Sequence, residues 1–122
     1  MAVRGALLAA VALLLASAAA ARPAPPTVLH ISSHLPSAAQ VSIDGRAPVT
    51  APGYGSVVAP ITAGAHMLKI SAPGVSYQEG LKLDPANLMR WHGRAYWCVN
   101  LLESQLEPYS RSDCREDVTD AG

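Results

Sequence analysis

The chain predicts an all-β fold: a small antiparallel β-sandwich, immunoglobulin-like or related, of about six or seven strands. Three observations carry this. Val41 to Gly74 reads VSIDGRAPVTAPGYGSVVAPITAGAHMLKISAPG, short alternating apolar runs separated by Asp-Gly, Pro-Gly and Ala-Gly turns. No stretch beyond the N-terminal leader keeps a helical apolar period for long. Ala95 to Leu101, AYWCVNL, is the most β-prone run and predicts a central strand.

The elements follow in chain order. Residues 1–21 read as a secretory signal peptide: Arg4 charges the start, Ala6 to Ala16 form an apolar core, and Ala19-Ala20-Ala21 closes a small-residue run. That core is too short for a bilayer span of about 20 helical residues. The mature chain is therefore expected to begin near Arg22, with no stable membrane anchor after cleavage, and to work in the periplasm or outside the cell. Residues 22–27 form a proline-rich leader. Residues 28–103 are the expected sandwich, and residues 104–122 a polar tail.

Val28 to Ser32 is the first strand, and Ser33 to Ala38, with Pro36, a loop. Gln40 to Ile43 is a strand that Asp44-Gly45 turns into a hairpin. Arg46 to Gly55 carries two prolines and two glycines and must be loop or edge. Ser56 to Ile61 is a strand that Pro60 confines to an edge or makes a strand end. After the Thr62-Ala63-Gly64 turn, His66 to Ser71 points Leu68 and Ile70 inward. Pro73-Gly74 ends it, and Tyr77 to Leu83 points Leu81 and Leu83 inward. Asp84-Pro85 is a helix start, so one short helix is expected near 85–92, stopped by Gly93. Beyond Glu103 the chain is expected to be loop, held by Cys114 and frayed after it.

Charge excludes some partners. Nine Lys and Arg face nine Asp and Glu, and removal of Arg4 leaves one net negative charge. Such a chain has no long-range attraction for nucleic acid. Cys98 and Cys114 form an even pair that reads as a disulfide in an oxidising compartment. It closes a loop of about 17 residues, worth on the order of 3 kcal/mol.

Catalytic chemistry finds little footing. Gly53-Tyr54-Gly55-Ser56-Val57 does not fit the G-x-S-x-G frame and lacks the third glycine of a dinucleotide loop. No catalytic residue and no cofactor is assigned, and the chain is not expected to be an enzyme. His30, His34 and His66 make a surface metal site conceivable only if the first strand and the His66 strand lie side by side. Hydrogen bonds at strand ends are the simpler reading for His30 and His66, and no metal is assigned. Met67 and Met89 read as packing. Trp97 reads as core. Tyr54, in a Pro-Gly-Tyr-Gly loop, is expected to be exposed. Arg46 and Tyr54 are the candidate partner-binding residues, for an envelope protein. The alternative is a glycan or polysaccharide platform of Tyr54 with Trp91.

Val28-Leu29-His30, Val41-Ser42-Ile43-Asp44-Gly45, Tyr54-Gly55 and Thr62-Ala63-Gly64-Ala65-His66 resemble a family of secreted bacterial β-sandwich domains of unknown function. The hairpin and the G-x-H turn are also similar to the PEGA domain and, more loosely, to periplasmic accessory proteins of alginate O-acetylation. The resemblance covers roughly residues 28 to 101. It implies a non-catalytic envelope module with a structural or adaptor role, or a polysaccharide-modification accessory domain. It carries over no catalytic residue.

Overall fold

A computed structural model of the protein describes residues 27 to 121; the expected signal peptide and most of the proline-rich leader lie outside the described residues. Two sheets pack face to face. The first joins β1 (Thr27–Ser33), β4 (Ser56–Pro60), β7 (Met89–Trp91), β8 (Arg94–Leu101) and β9 (Leu106–Pro108) in the order β4-β1-β8-β7, with β9 also on β8. The second joins β2 (Ala39–Ile43), β3 (Val49–Ala51), β5 (Gly64–Ala72) and β6 (Val75–Leu83) in the order β3-β2-β5-β6. This is the all-β sandwich that the turn spacing predicts.

Alternation builds the core. Leu29 and Ile31 of β1, Leu68 and Ile70 of β5, and Trp97, Val99 and Leu101 of β8 meet between the sheets. Burying each large apolar side chain is worth about 1.5–3 kcal/mol. Leu81 and Leu83 of β6 join the same core, and Tyr77 packs against it. Tyr77 Oη donates to the carbonyls of Leu102 (2.7 Å) and Gln105 (2.9 Å), and burial pushes its hydroxyl up to about 12, with Glu79 adding to the effect. Trp97 Nε1 donates to the Asp84 carbonyl at 2.9 Å.

Four expectations need correction. The sheets are not wholly antiparallel, because β1 and β8 run parallel along their length, from Thr27↔Ala95 to Ser33↔Leu101. The expected helix near 85–92 is a single 3-10 turn, Pro85–Asn87. Asp84 does cap it, accepting the Ala86 amide at 2.9 Å, but Met89–Trp91 then pair with β8 and take the chain back into the sheet. The strands of the described residues number nine, where six or seven were expected: Arg46 to Gly55, loop or edge as expected, includes the short edge strand β3 between two turns, and β7 and β9 are short additions beside β8. The tail is not loop: β9 pairs with β8 and buries Leu106, and a helix, α1 (Arg111–Ala121), follows. Ser110 starts that helix. Its Oγ accepts the Asp113 amide at 3.2 Å and donates to Asp113 Oδ2 at 2.9 Å, a reciprocal cap.

Helix α1 lies on the outer face of the five-stranded sheet. Cys114 and Val118 meet Val28, Met89, Tyr96 and Cys98 in a second apolar cluster. Cys98 and Cys114 are bonded, with Cα atoms 5.4 Å apart. The bond suits an oxidising compartment. Among the described residues no helix is long and apolar enough to cross a membrane.

Candidate functional site

The β3–β4 turn presents Tyr54. Gly53 sits against Pro36, where an added Cβ would lie 2.2 Å from the Pro36 carbonyl oxygen, so only glycine permits this contact. The Tyr54 amide donates to Leu35 O at 2.8 Å, the Ser33 amide to Gly55 O at 2.8 Å, and the Gly55 amide to Pro52 O at 3.0 Å. On this braced loop Tyr54 is 74% exposed and holds a φ of 53°. A positive φ is uncommon for a bulky residue.

Arg46 is placed differently. It lies in the β2–β3 turn, and Tyr54 in the β3–β4 turn, at opposite ends of β3. Arg46 Nε donates to Ile43 O at 3.2 Å and its terminal nitrogen to Pro60 O at 3.4 Å. The guanidinium ties the turn to the end of β4, a local structural role. The two candidates do not share one surface loop.

The Asp44-Gly45 hairpin turn and the turn that leads into His66 form a clamp. Asp44 has a φ of 52°, followed by Gly45 at 74°, the pair of positive values a tight hairpin turn requires. Asp44 Oδ1 accepts the Met67 amide at 2.8 Å, and Oδ2 accepts His66 Nδ1 at 2.6 Å. His66 Nε2 faces the Thr62 carbonyl oxygen at 2.8 Å. The Asp-Gly turn and the G-x-H turn are thus bonded to each other. The Met67 amide above all, then the His66 ring, holds the Asp44 carboxyl below its ordinary value of 3.8.

Acid tests this clamp. A lowered native value means the charged carboxylate belongs to the folded state. Its stabilisation is present above the ordinary value and is lost as pH falls through the native one. We expect wild type to lose more melting temperature than Asp44→Asn below about pH 4, by a small amount that salt reduces, because the Asp44 carboxylate is exposed. Parallel acid curves for the two chains would show that the clamp adds nothing.

The histidines do not assemble. His30 lies on β1 and His66 on β5, in different sheets, while His34 Nε2 faces Asn100 Oδ1 at 3.1 Å. Among the described residues, no group of three or more His, Cys, Asp and Glu stands close enough to hold a metal.

His30 has a setting the sequence did not suggest. It points to the outer face, beneath α1, with 5% of its side chain exposed. Its Nδ1 is buried without a hydrogen-bond partner and stands 3.7 Å from Asp117 Oδ2. Asp117 in turn accepts Tyr109 Oη at 2.5 Å. Burial lowers the His30 ring's proton affinity more than Asp117 raises it. Burial, then the bond to Asp117, pushes the Tyr109 hydroxyl up. Over His30 lies a shallow groove of about 380 Å³, bounded by Ser56, Val57 and Val58 of β4, Trp91 of β7, Tyr96 of β8 and Val118 of α1. Trp91 stacks on His92 with ring centroids 4.0 Å apart, and it forms no ring pair with Tyr54.

A more enclosed cavity of about 250 Å³ adjoins the disulfide, where β7 and β9 leave the middle of β8 uncovered; Lys82, Trp97, Tyr109 and Arg111 are among its walls.

No protein-family model matches the chain, and no curated protein matches it in sequence.

Proposed function

We propose that the chain is an exported, non-catalytic module of the cell envelope that engages a protein partner through Tyr54. The observation that supports this is the setting of that residue. A bulky side chain at positive φ costs on the order of 1–3 kcal/mol and persists only where surrounding structure enforces it. Here three backbone hydrogen bonds and the Gly53–Pro36 contact enforce it, and the aromatic ring they hold faces solvent. A rigid exposed tyrosine loses little entropy on binding and is a common anchor of interfaces. The leader, the disulfide and the resemblance to secreted sandwich modules support the envelope setting.

Tyr54→Gly tests this reading. It deletes the ring and relieves the positive φ together. The melting temperature should hold or rise, while a photoreactive residue at position 54, expressed in the native host, should cross-link to one discrete envelope protein. Cross-linking no stronger than from a control position such as Gln78 would reduce the loop to a connection.

A further inference from the structure

We propose that the groove between α1 and β4 binds a neutral saccharide, with Trp91 as its stacking wall and His30 as its polar floor. This site is separate from Tyr54 and does not rest on the partner reading.

Coverage of the sheet comes first. Helix α1 contacts β7 and β8 on the outer face. It leaves the β4 side uncovered, so Val58 is 41% exposed, one of three large apolar side chains so exposed among the described residues. Register places Val58 opposite His30 and Ser56 opposite Ser32, so apolar and polar groups alternate along the groove.

The polar groups have unused capacity. His30 Nδ1 is the one buried side-chain nitrogen or oxygen without a partner among the described residues. An orphaned buried group costs about 1–3 kcal/mol; this one faces Asp117 and not the groove, so it bears on the ring's tautomer and is not itself the ligand contact. A carboxylate only accepts, so Asp117 favours the tautomer with the proton on Nδ1. That leaves Nε2 as an acceptor for a ligand hydroxyl, and movement of under an ångström at Asp117 would close the 3.7 Å gap behind the ring. The Ser56 hydroxyl makes no side-chain hydrogen bond among the described residues and can donate or accept.

Chemistry then selects the ligand. No Lys, Arg, Asp or Glu lines the groove among the described residues, which removes any recognition of a charged ligand. A wholly apolar ligand would leave the His30 floor unsatisfied. A sugar ring matches both requirements: its C–H face stacks on an indole, and its hydroxyls bond to His30 and Ser56. Trp91 is half-buried, stacked on His92 and packed against the cluster beneath α1, and the part of it that lines the groove is what a sugar face would meet. The volume falls in the range of small-ligand sites, about 300–1,000 Å³.

The test is a titration of the folded, disulfide-bonded protein with three neutral probes: maltotriose, cellotriose and chitotriose. Proton–nitrogen NMR follows the Trp91 indole N–H and the His30 ring. At least one probe should shift both signals saturably by about 10 mM. Trp91→Ala should weaken that probe by about tenfold, and Ser56→Ala, on an exposed position that does not threaten folding, by a few-fold. Tyr54→Gly should leave the affinity unchanged. No saturable shift with any of the three probes overturns the proposal. So does a shift that survives Trp91→Ala and Ser56→Ala in folded protein.

Discussion

Reducing the Cys98–Cys114 disulfide should release α1 and uncover the outer face of the five-stranded sheet while the sandwich stays folded. The reasoning is a comparison of magnitudes. Helix α1 spans eleven residues, and an isolated helix of that length is marginal in water. Among its described side chains it buries Cys114 and Val118 against the sheet. One fully buried valine is worth about 1.5–3 kcal/mol, and the exposed side of the Tyr109–Asp117 bond adds little to that. The disulfide contributes a comparable amount, on the order of 3 kcal/mol. Without it, the ordering entropy of eleven residues outweighs what remains. The main core does not share this dependence, because it lies on the other face of β8, between the sheets. Replacing both cysteines with alanine should therefore remove the helical part of the far-ultraviolet circular dichroism. It should also raise binding of an apolar dye, as Val28, Met89 and Tyr96 lose their cover. Amide protection in β1, β5 and β8 should persist. Retained protection in α1 would show that its side-chain contacts suffice. Release of α1 also removes Val118 from the groove over His30, so saccharide binding should fall with the helix.

This dependence on α1 explains where the sequence could be read and where it could not. The strands β1, β2, β4, β5 and β6 announce themselves because each pairs an inward-facing apolar series with local turn chemistry, Asp44-Gly45 and Pro73-Gly74 above all, whereas the three residues of β3 are too few to show a period. The helix announces nothing by period. Among its described side chains the helix offers Cys114 and Val118 to the sheet, four apart, too few to mark a face. Two signals were nonetheless present. Ser110-Arg111-Ser112-Asp113 is a cap pattern, and AYWCVNL is apolar at consecutive positions, as a strand covered on both faces should be. The parallel pairing of β1 with β8 left no local trace, since strands so far apart in sequence share no turn. The 3-10 turn stops short of the expected helix for a physical reason. Its Asp-Pro start is a true cap, but Met89 and Trp91 gain more by pairing with β8 than by another helical turn. Of the candidate site, the exposure of Tyr54 was legible from its loop. The setting of His30 was not, because Asp117 and Tyr109 reach it only through the helix that the sequence concealed.

Trp97→Ala is expected to be the most damaging single change in the chain. Trp97 is 5% exposed on β8, the strand that pairs with β1, β7 and β9. Its ring fills the space between the sheets, and its Nε1 holds the Asp84 carbonyl, fastening the end of β6 and the 3-10 turn to the central strand. Truncation removes the largest side chain of the core and leaves a cavity, which costs about 3–5 kcal/mol. The total stability of a domain this size is about 5–15 kcal/mol, so the variant keeps a narrow margin. The melting temperature should drop on the order of 15–30 °C, at about 4–8 °C per kcal/mol. Trp97→Phe separates the two contributions. It retains most of the volume and loses the indole donor, so it should cost roughly 1–3 kcal/mol, with the lost bond as one part. Urea unfolding with the disulfide intact measures both variants. An alanine variant within about 1 kcal/mol of wild type would mean that the sheets close over the missing ring, and that the core is centred on Leu29, Ile31 and Ile70 instead.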